Sequence, residues 1–234
     1  MILLALLACA LLEEQRTPPT EALWSGWVLA DLPAEDVPAL ESGTFEVFDL
    51  EGQPLAEAVE DAENPGYWSV ELPVDTEVQL RIDGVEQVPT LWRTRSPQGR
   101  AYWLSGGLFA VHEDTQEALF DSLDGWQGMS PASLSDGEVA HLWGTPAEPQ
   151  DWAGATVELE GVDGAVPVAR LSLSEDGSLI DAGLGPVDLF VGPDLPPGPV
   201  LLRVTTADGR VAETRWRAQG GELLSAFTFS LPSP

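Results

Sequence analysis

The side chains able to do chemistry are few apart from carboxylates: two histidines, one cysteine and ten basic residues, all of them Arg, against 39 Asp and Glu. A zinc or iron centre needs clustered His, Cys or carboxylate ligands. His112 and His141 are far apart in the chain, and Cys9 lies near its start. His112 beside Glu113 and Asp114 has ligand chemistry, but the same residues read as a solvated strand end. No Gly-x-Ser-x-Gly elbow and no Gly-rich phosphate loop occurs. Carboxylates are so frequent that spacing singles out no acid and base pair for glycoside hydrolysis. The sequence predicts no catalytic residue, no metal site and no cofactor.

Binding chemistry is better represented. Arg93 and Arg95 alternate with Trp92 and Thr94, so both guanidinium groups share one strand face; Arg215 and Arg217 do the same around Trp216. Each pair either meets neighbouring carboxylates at the surface or forms a cationic patch. Tyr67-Trp68 and Tyr102-Trp103 are adjacent aromatic pairs within strand-like segments. Successive strand residues point to opposite faces, so one ring of each pair must leave the core unless a loop or domain covers it. Trp68, Trp103, Arg93 and Arg95 are therefore the expected ligand or partner contacts.

The formal net charge of −29 excludes nucleic acid as a partner, because phosphate binding needs a positive surface. No Asp-x-Asp-x-Asp-Gly calcium loop is present, and the carboxylates read as a solvated surface. One cysteine permits no internal disulfide.

The elements that must position these residues are strands. Phe45 and Val47 alternate with Thr44, Glu46 and Phe48. Val78, Leu80 and Ile82 alternate with Glu77, Gln79 and Arg81, which places the first three inward and the last three outward. Asp49 to Pro54 and Pro73 to Asp75 read as turns, and Glu113 to Leu123 as a helix. Residues 124–136, rich in Gly, Ser, Pro and Asp, read as a linker with few contacts across it.

The second half repeats the first in the same order. Leu142-Trp143-Gly144 parallels Leu23-Trp24-Ser25-Gly26, and Gly154 to Gly164 parallels Gly43 to Gly52. Leu195-Pro196 parallels Leu72-Pro73, Leu202-Arg203 parallels Leu80-Arg81, and Arg215-Trp216-Arg217 parallels Trp92 to Arg95. The spacing widens between Gly164 and Leu195, which predicts an insertion there. The expected fold is all-β: two tandem antiparallel β-sandwich domains, at 23–123 and 137–234, joined by the 124–136 linker.

Met1 to Cys9 is an apolar run too short to span a bilayer and fits a secretion signal. Leu6-Leu7-Ala8-Cys9 resembles the lipobox of bacterial lipoproteins. That resemblance implies a signal peptide at 1–8, lipidation of Cys9, a tether over 9–22 and anchoring in the bacterial envelope, at the outer membrane. Gly43 to Pro54 with Tyr67 to Ile82, and more loosely Gly154 to Pro167 with Leu189 to Val204, resemble the carboxypeptidase regulatory-like, or transthyretin-like, Ig-like β-sandwiches. This second resemblance implies an accessory module with no catalytic role. The expected function is non-catalytic binding or scaffolding at the periplasm or cell surface, with the membrane, an envelope protein or a glycan as partners. Carbohydrate binding through exposed aromatics is the alternative, and a hydrolase with an unrecognised site the second alternative.

Overall fold

The structure is a computed structural model that describes residues 20–31, 37–40, 42–102, 108–126, 129–174 and 178–229, with side chains to 226. Cys9 and Trp103 lie outside the described residues. The first half contains β1 (Glu21–Trp27), β2 (Thr44–Phe48), β3 (Pro54–Glu57), β4 (Val59–Glu60), β5 (Tyr67–Pro73), β6 (Glu77–Asp83), β7 (Gln87–Val88), β8 (Thr90–Arg95), β9 (Ala101–Tyr102) and β10 (Val111–His112). Helix α1 (Glu113–Asp121) follows, capped by the His112 side chain, whose Nδ1 accepts from Asp114 N–H. The second half contains β11 (Ala140–Pro146), β12 (Thr156–Gly161), β13 (Gly164–Val166), β14 (Ala169–Leu173), β15 (Leu179–Asp181), β16 (Leu189–Leu195), β17 (Gly198–Thr205), β18 (Val211–Ala218) and β19 (Leu223–Phe229).

The repeat in the sequence is a repeat of topology. In the first half β4-β5-β1-β9 form one sheet and β8-β6-β2-β3 run in order within another. The second half has β14-β16-β11-β19 and β18-β17-β12-β13 in the same two orders. The signs match as well: β1 is antiparallel to β5 and parallel to β9, just as β11 is antiparallel to β16 and parallel to β19. Strand β15 accounts for the widened spacing between Gly164 and Leu195. Gly26 lies opposite Trp68 and Gly144 opposite Phe190. That register aligns Trp24-Ser25-Gly26 with Leu142-Trp143-Gly144, one residue away from the alignment that matches Leu-Trp to Leu-Trp. A Cβ on Gly144 would lie 2.4 Å from the Phe190 ring, so the close crossing requires glycine.

The two sandwiches share a sheet. Strand β19 runs parallel to both β11 and β8, which fuses the halves into a nine-stranded sheet, β15-β14-β16-β11-β19-β8-β6-β2-β3. Adjacent residues on its central strands enter different cores. Leu91, Leu142, Phe190 and Leu224 belong to one buried cluster, and Trp92, Trp143, Val191 and Leu223 to the other. Because neighbouring side chains point oppositely, the clusters lie on opposite faces. The β4-β5-β1-β9 sheet covers one face at one end, and the β13-β12-β17-β18 sheet covers the other face at the other end. Residues 129–136 of the expected linker carry Met129 and Leu134, both buried with Phe109 and Phe120 in the cluster that holds Trp92 and Trp143.

The alternation expected for β2, β6 and β17 holds on the inner faces: Phe45, Val47, Val78, Leu80, Ile82, Leu202 and Val204 are all buried. Gln79 departs from it. Expected to face solvent, it is 1% exposed. The outer side of β6 is covered there by β18: the Gln79 amide donates to Asp49 O at 2.9 Å and accepts from Arg217 N–H at 2.9 Å. Arg81, also expected outward, is three-quarters covered and joins Glu46, Asp83 and Glu222.

Candidate functional site

Trp68 is a core residue rather than a contact residue. Its side chain is 3% exposed, packs against Phe45 and donates from Nε1 to Leu40 O at 3.2 Å. Of the adjacent Tyr67-Trp68 pair it is Tyr67 whose ring leaves the core. Arg93 and Arg95 do not form a free cationic patch. Arg93 donates to Glu77 at 2.6 Å and to Thr214 and Arg215 O of β18, so it staples the two halves. Arg95 is exposed and pairs with Asp75 at 3.1 Å. Trp92 and Trp216 pack inward beside these arginines, as the alternation requires.

The histidines are structural. His112 caps α1, with Glu86 3.7 Å from its Nε2. His141 is fully buried and stacks on Phe120 with ring centroids 4.2 Å apart. Its Nε2 lies 3.0 Å from Ala132 O, and its Nδ1 accepts from Asp194 N–H at 3.0 Å. Burial, more than any partner, holds its pKa below the usual imidazole value. Glu222 is the complementary case. It is 2% exposed, accepts from Arg81 Nε and Gln219 N–H, and still has its pKa pushed up by burial. Among the described residues no group of three or more His, Cys, Asp or Glu is placed to hold a metal, and no helix is long and apolar enough to cross a membrane.

The surface that does gather binding chemistry is the outer face of the β4-β5-β1-β9 sheet. Register alone assigns it. Trp68, Val70 and Leu72 face the core, so Tyr67, Ser69 and Glu71 face out. Their cross-strand partners Trp27, Ser25 and Leu23 share that face, and Tyr102 lies beside Ser25 on β9. Trp27 is 39% and Tyr102 62% exposed, and Tyr67 is half-buried. Tyr67 meets Trp27 edge-on at 5.5 Å, and its hydroxyl lies 3.0 Å from the Ser25 hydroxyl. The hydrogen bond pins the Tyr67 ring, and the ring contact in turn orients Trp27. Toward the far side of the sheet the face opens into a shallow cleft of about 360 Å³ lined in part by Leu23, Glu57, Val59, Ser69 and Glu71. Trp27 was not singled out by the adjacent-pair argument. The signal for it lay in its spacing from Trp24: three residues apart on one strand, the two rings cannot share a face.

No family model matches the sequence, and no curated protein matches it. Solved structures with some likeness include the TIE protein of Bacillus anthracis, with a TM-score of 0.30 and 11% identity over 91% of this chain and 34% of that one. The chain thus spans about a third of that protein's length. A family 26 carbohydrate-binding module of Eubacterium rectale Amy13K, solved with maltoheptaose, gives a TM-score of 0.25 and 11% identity over 90% of this chain and 93% of that one. BcpA, the major pilin subunit of Bacillus cereus, gives 0.28 and 9% identity over 91% and 69%. Likeness at this level carries no functional assignment.

Proposed function

We propose that the chain is a non-catalytic binding module of the bacterial cell envelope, tethered through lipidated Cys9 at the outer membrane. Its binding surface is the outer face of the β4-β5-β1-β9 sheet. One observation carries this reading: Trp27 and Tyr102 present large rings to water on a single sheet face, and Tyr67 is held against Trp27 and the Ser25 hydroxyl. Exposed aromatic rings held in fixed positions offer contact area at little entropic loss. The strand–turn–strand order of each half supports placing both sandwiches with the carboxypeptidase regulatory-like, accessory kind of module. The Leu6-Leu7-Ala8-Cys9 run supports the anchor, since two or more acyl chains hold a protein stably at a bilayer.

Two measurements test the two parts. Labelled palmitate enters the wild type in a bacterial host, and Cys9→Ala abolishes labelling and releases the protein into soluble fractions; equal labelling ends the anchor reading. Residues 20–234, purified without the first 19 residues, co-sediment with a bacterial envelope fraction, whereas the Trp27→Ala/Tyr102→Ala double variant stays in the supernatant. Equal sedimentation of the two would remove this face as the binding surface.

A further inference from the structure

We propose that the outer face of the β4-β5-β1-β9 sheet takes a neutral polysaccharide, whose sugar rings stack on Tyr102 and Trp27 and whose chain continues into the cleft beside Glu57 and Glu71. The inference rests on the reading of that face as the binding surface and adds the class of ligand.

The duplication supplies an internal comparison. The equivalent face in the second half, on β14-β16-β11-β19, is buried under the segment that carries Phe109, Phe120 and Leu134. Register gives the correspondence position by position. Ser25, Ser69 and Val59 stand where the second half has Trp143, Val191 and Ala169, and Tyr102 stands where it has Ser225. All four second-half residues are buried. A face of this fold that receives protein is therefore lined by Trp, Val and Ala, with Leu171 and Leu223 alongside. The first-half face has at its centre Ser69, part-exposed, and Ser25, buried with its hydroxyl on that of Tyr67; Tyr102 stands at one edge, Trp27 and Tyr67 at one end, and Glu57 and Glu71 at the cleft.

That composition matches a pyranose better than a protein surface. A pyranose has an apolar C–H face that stacks on an aromatic ring and a rim of hydroxyls that donate to carboxylates and exchange hydrogen bonds with Ser and Tyr hydroxyls. An apolar protein partner would have to desolvate Glu57 and Glu71 without offering a donor, which is costly. Tyr102, Ser25, Ser69 and Val59 lie on four adjacent strands, roughly 5 Å apart in the hydrogen-bonding direction. The row crosses the strands from the exposed ring of Tyr102, over the buried Ser25, to the mouth of the cleft, so an extended chain of sugars meets the Tyr102 ring, the part-exposed Ser69 and the cleft in sequence. Arg100, just before β9, is exposed, but the chain's net charge of −29 disfavours a polyanion.

Affinity gel electrophoresis of residues 20–234 through amylose, laminarin, xylan and glucomannan, with alginate as the polyanion, tests the class. Retardation in at least one neutral polymer and none in alginate is expected. Tyr102→Ala should weaken the retained interaction at least about tenfold, the effect of losing one stacking ring, and Tyr102→Phe should keep most of it. Unchanged thermal melting of both variants excludes misfolding. Retardation in alginate alone, in no polymer, or equally for wild type and Tyr102→Ala overturns the proposal. The envelope fraction separates this from failure of the broader reading. If binding to it survives periodate oxidation of its sugars but not proteolysis, the face binds a protein: the ligand class is wrong and the binding surface stands. If the Trp27→Ala/Tyr102→Ala variant binds that fraction as wild type does, the surface itself is wrong.

Discussion

The backbone N–H of Arg217 donates to Oε1 of Gln79 over 2.9 Å, joining residues 138 positions apart. The same Gln79 amide donates to Asp49 O, and Arg93 donates to Arg215 O two residues along β18. An edge strand presents unpaired backbone groups that invite pairing with another chain. Here two side chains of the first sandwich occupy part of the edge of the second. Gln79→Ala should cost about 1–3 kcal/mol, the penalty for leaving a buried donor unmatched. Leu80→Ala, which empties a core position, should cost ~2–5 kcal/mol. Urea melts measure both; a loss under about 0.5 kcal/mol at Gln79, the value for an ordinary surface site, would show that the contact does not hold β18.

Arg81 and Glu222 form the second tie between the halves, Nε to Oε1 at 3.0 Å, with the carboxylate buried. Removing one partner of a buried pair leaves an uncompensated charge, and Arg81→Ala should cost about 3–5 kcal/mol near neutral pH. The sign of its pH dependence follows from Glu222. Burial raises that carboxyl's folded pKa above its ordinary value of 4.5. Its contribution is therefore most favourable below that value and is lost as pH rises through the folded pKa. Without Arg81 the folded pKa rises further, so the penalty should shrink as pH falls from neutral toward 5. A penalty that is flat over this range would mean that Glu222 stays charged without Arg81.

The inner faces of β2, β6 and β17 were legible because a period of two needs only local sequence, and both Trp92 and Trp216 fell on the side that alternation gave them. Gln79 was not legible, because its burial is set by β18 and nothing within β6 reports that. Trp68 shows a different limit. The adjacency of Tyr67 and Trp68 says that one ring leaves the core, and only the pairing of β5 with β1 decides which. The aromatic face was half legible: Tyr102 belongs to a pair that drew attention, whereas Trp27 joins it only through strand order. The charge of Arg93 was visible, but its carbonyl and carboxylate partners are supplied by β18 and β6.

The shared sheet sets what the halves do when separated. Residues 137–234 hold all eight strands of the repeated topology, so a β-type circular dichroism spectrum is expected from them alone. They also lose the cover over Trp143, Leu171, Val191 and Leu223, which the intact chain buries with Phe109, Phe120, Met129, Leu134 and the first sandwich. Apolar patches of that kind bind dyes and self-associate. The isolated half should bind anilinonaphthalene sulfonate and sediment as more than a monomer, and residues 20–136 added in trans should suppress both. A monomeric, dye-silent half would show that the two sandwiches are energetically separate despite the shared sheet.

His141 gives the last prediction, and its sign is opposite to that of Glu222. Nε2 faces Ala132 O and carries the proton, which leaves Nδ1 bare to accept from Asp194 N–H. A second proton on Nδ1 would cancel that acceptance and place a charge against Phe120. Burial accordingly lowers the folded pKa, although the Asp194 carboxylate opposes the shift. A depressed imidazole pKa contributes stability that is present above the unfolded value, roughly 6.5, and is lost as pH falls through it, because only the unfolded chain takes up the proton. His141→Leu removes this titration and leaves Glu222 in place. The variant should be less stable than wild type near pH 7.5, since Ala132 O and Asp194 N–H lose their partner. The gap should then narrow toward about pH 5.5, as wild type alone bears the cost of an uncharged histidine. Urea melts at the two pH values measure the gap directly. A gap that widens on acidification would mean that the folded protein holds His141 protonated, with Ala140 O, 3.1 Å from Nδ1, and the Asp194 carboxylate outweighing burial.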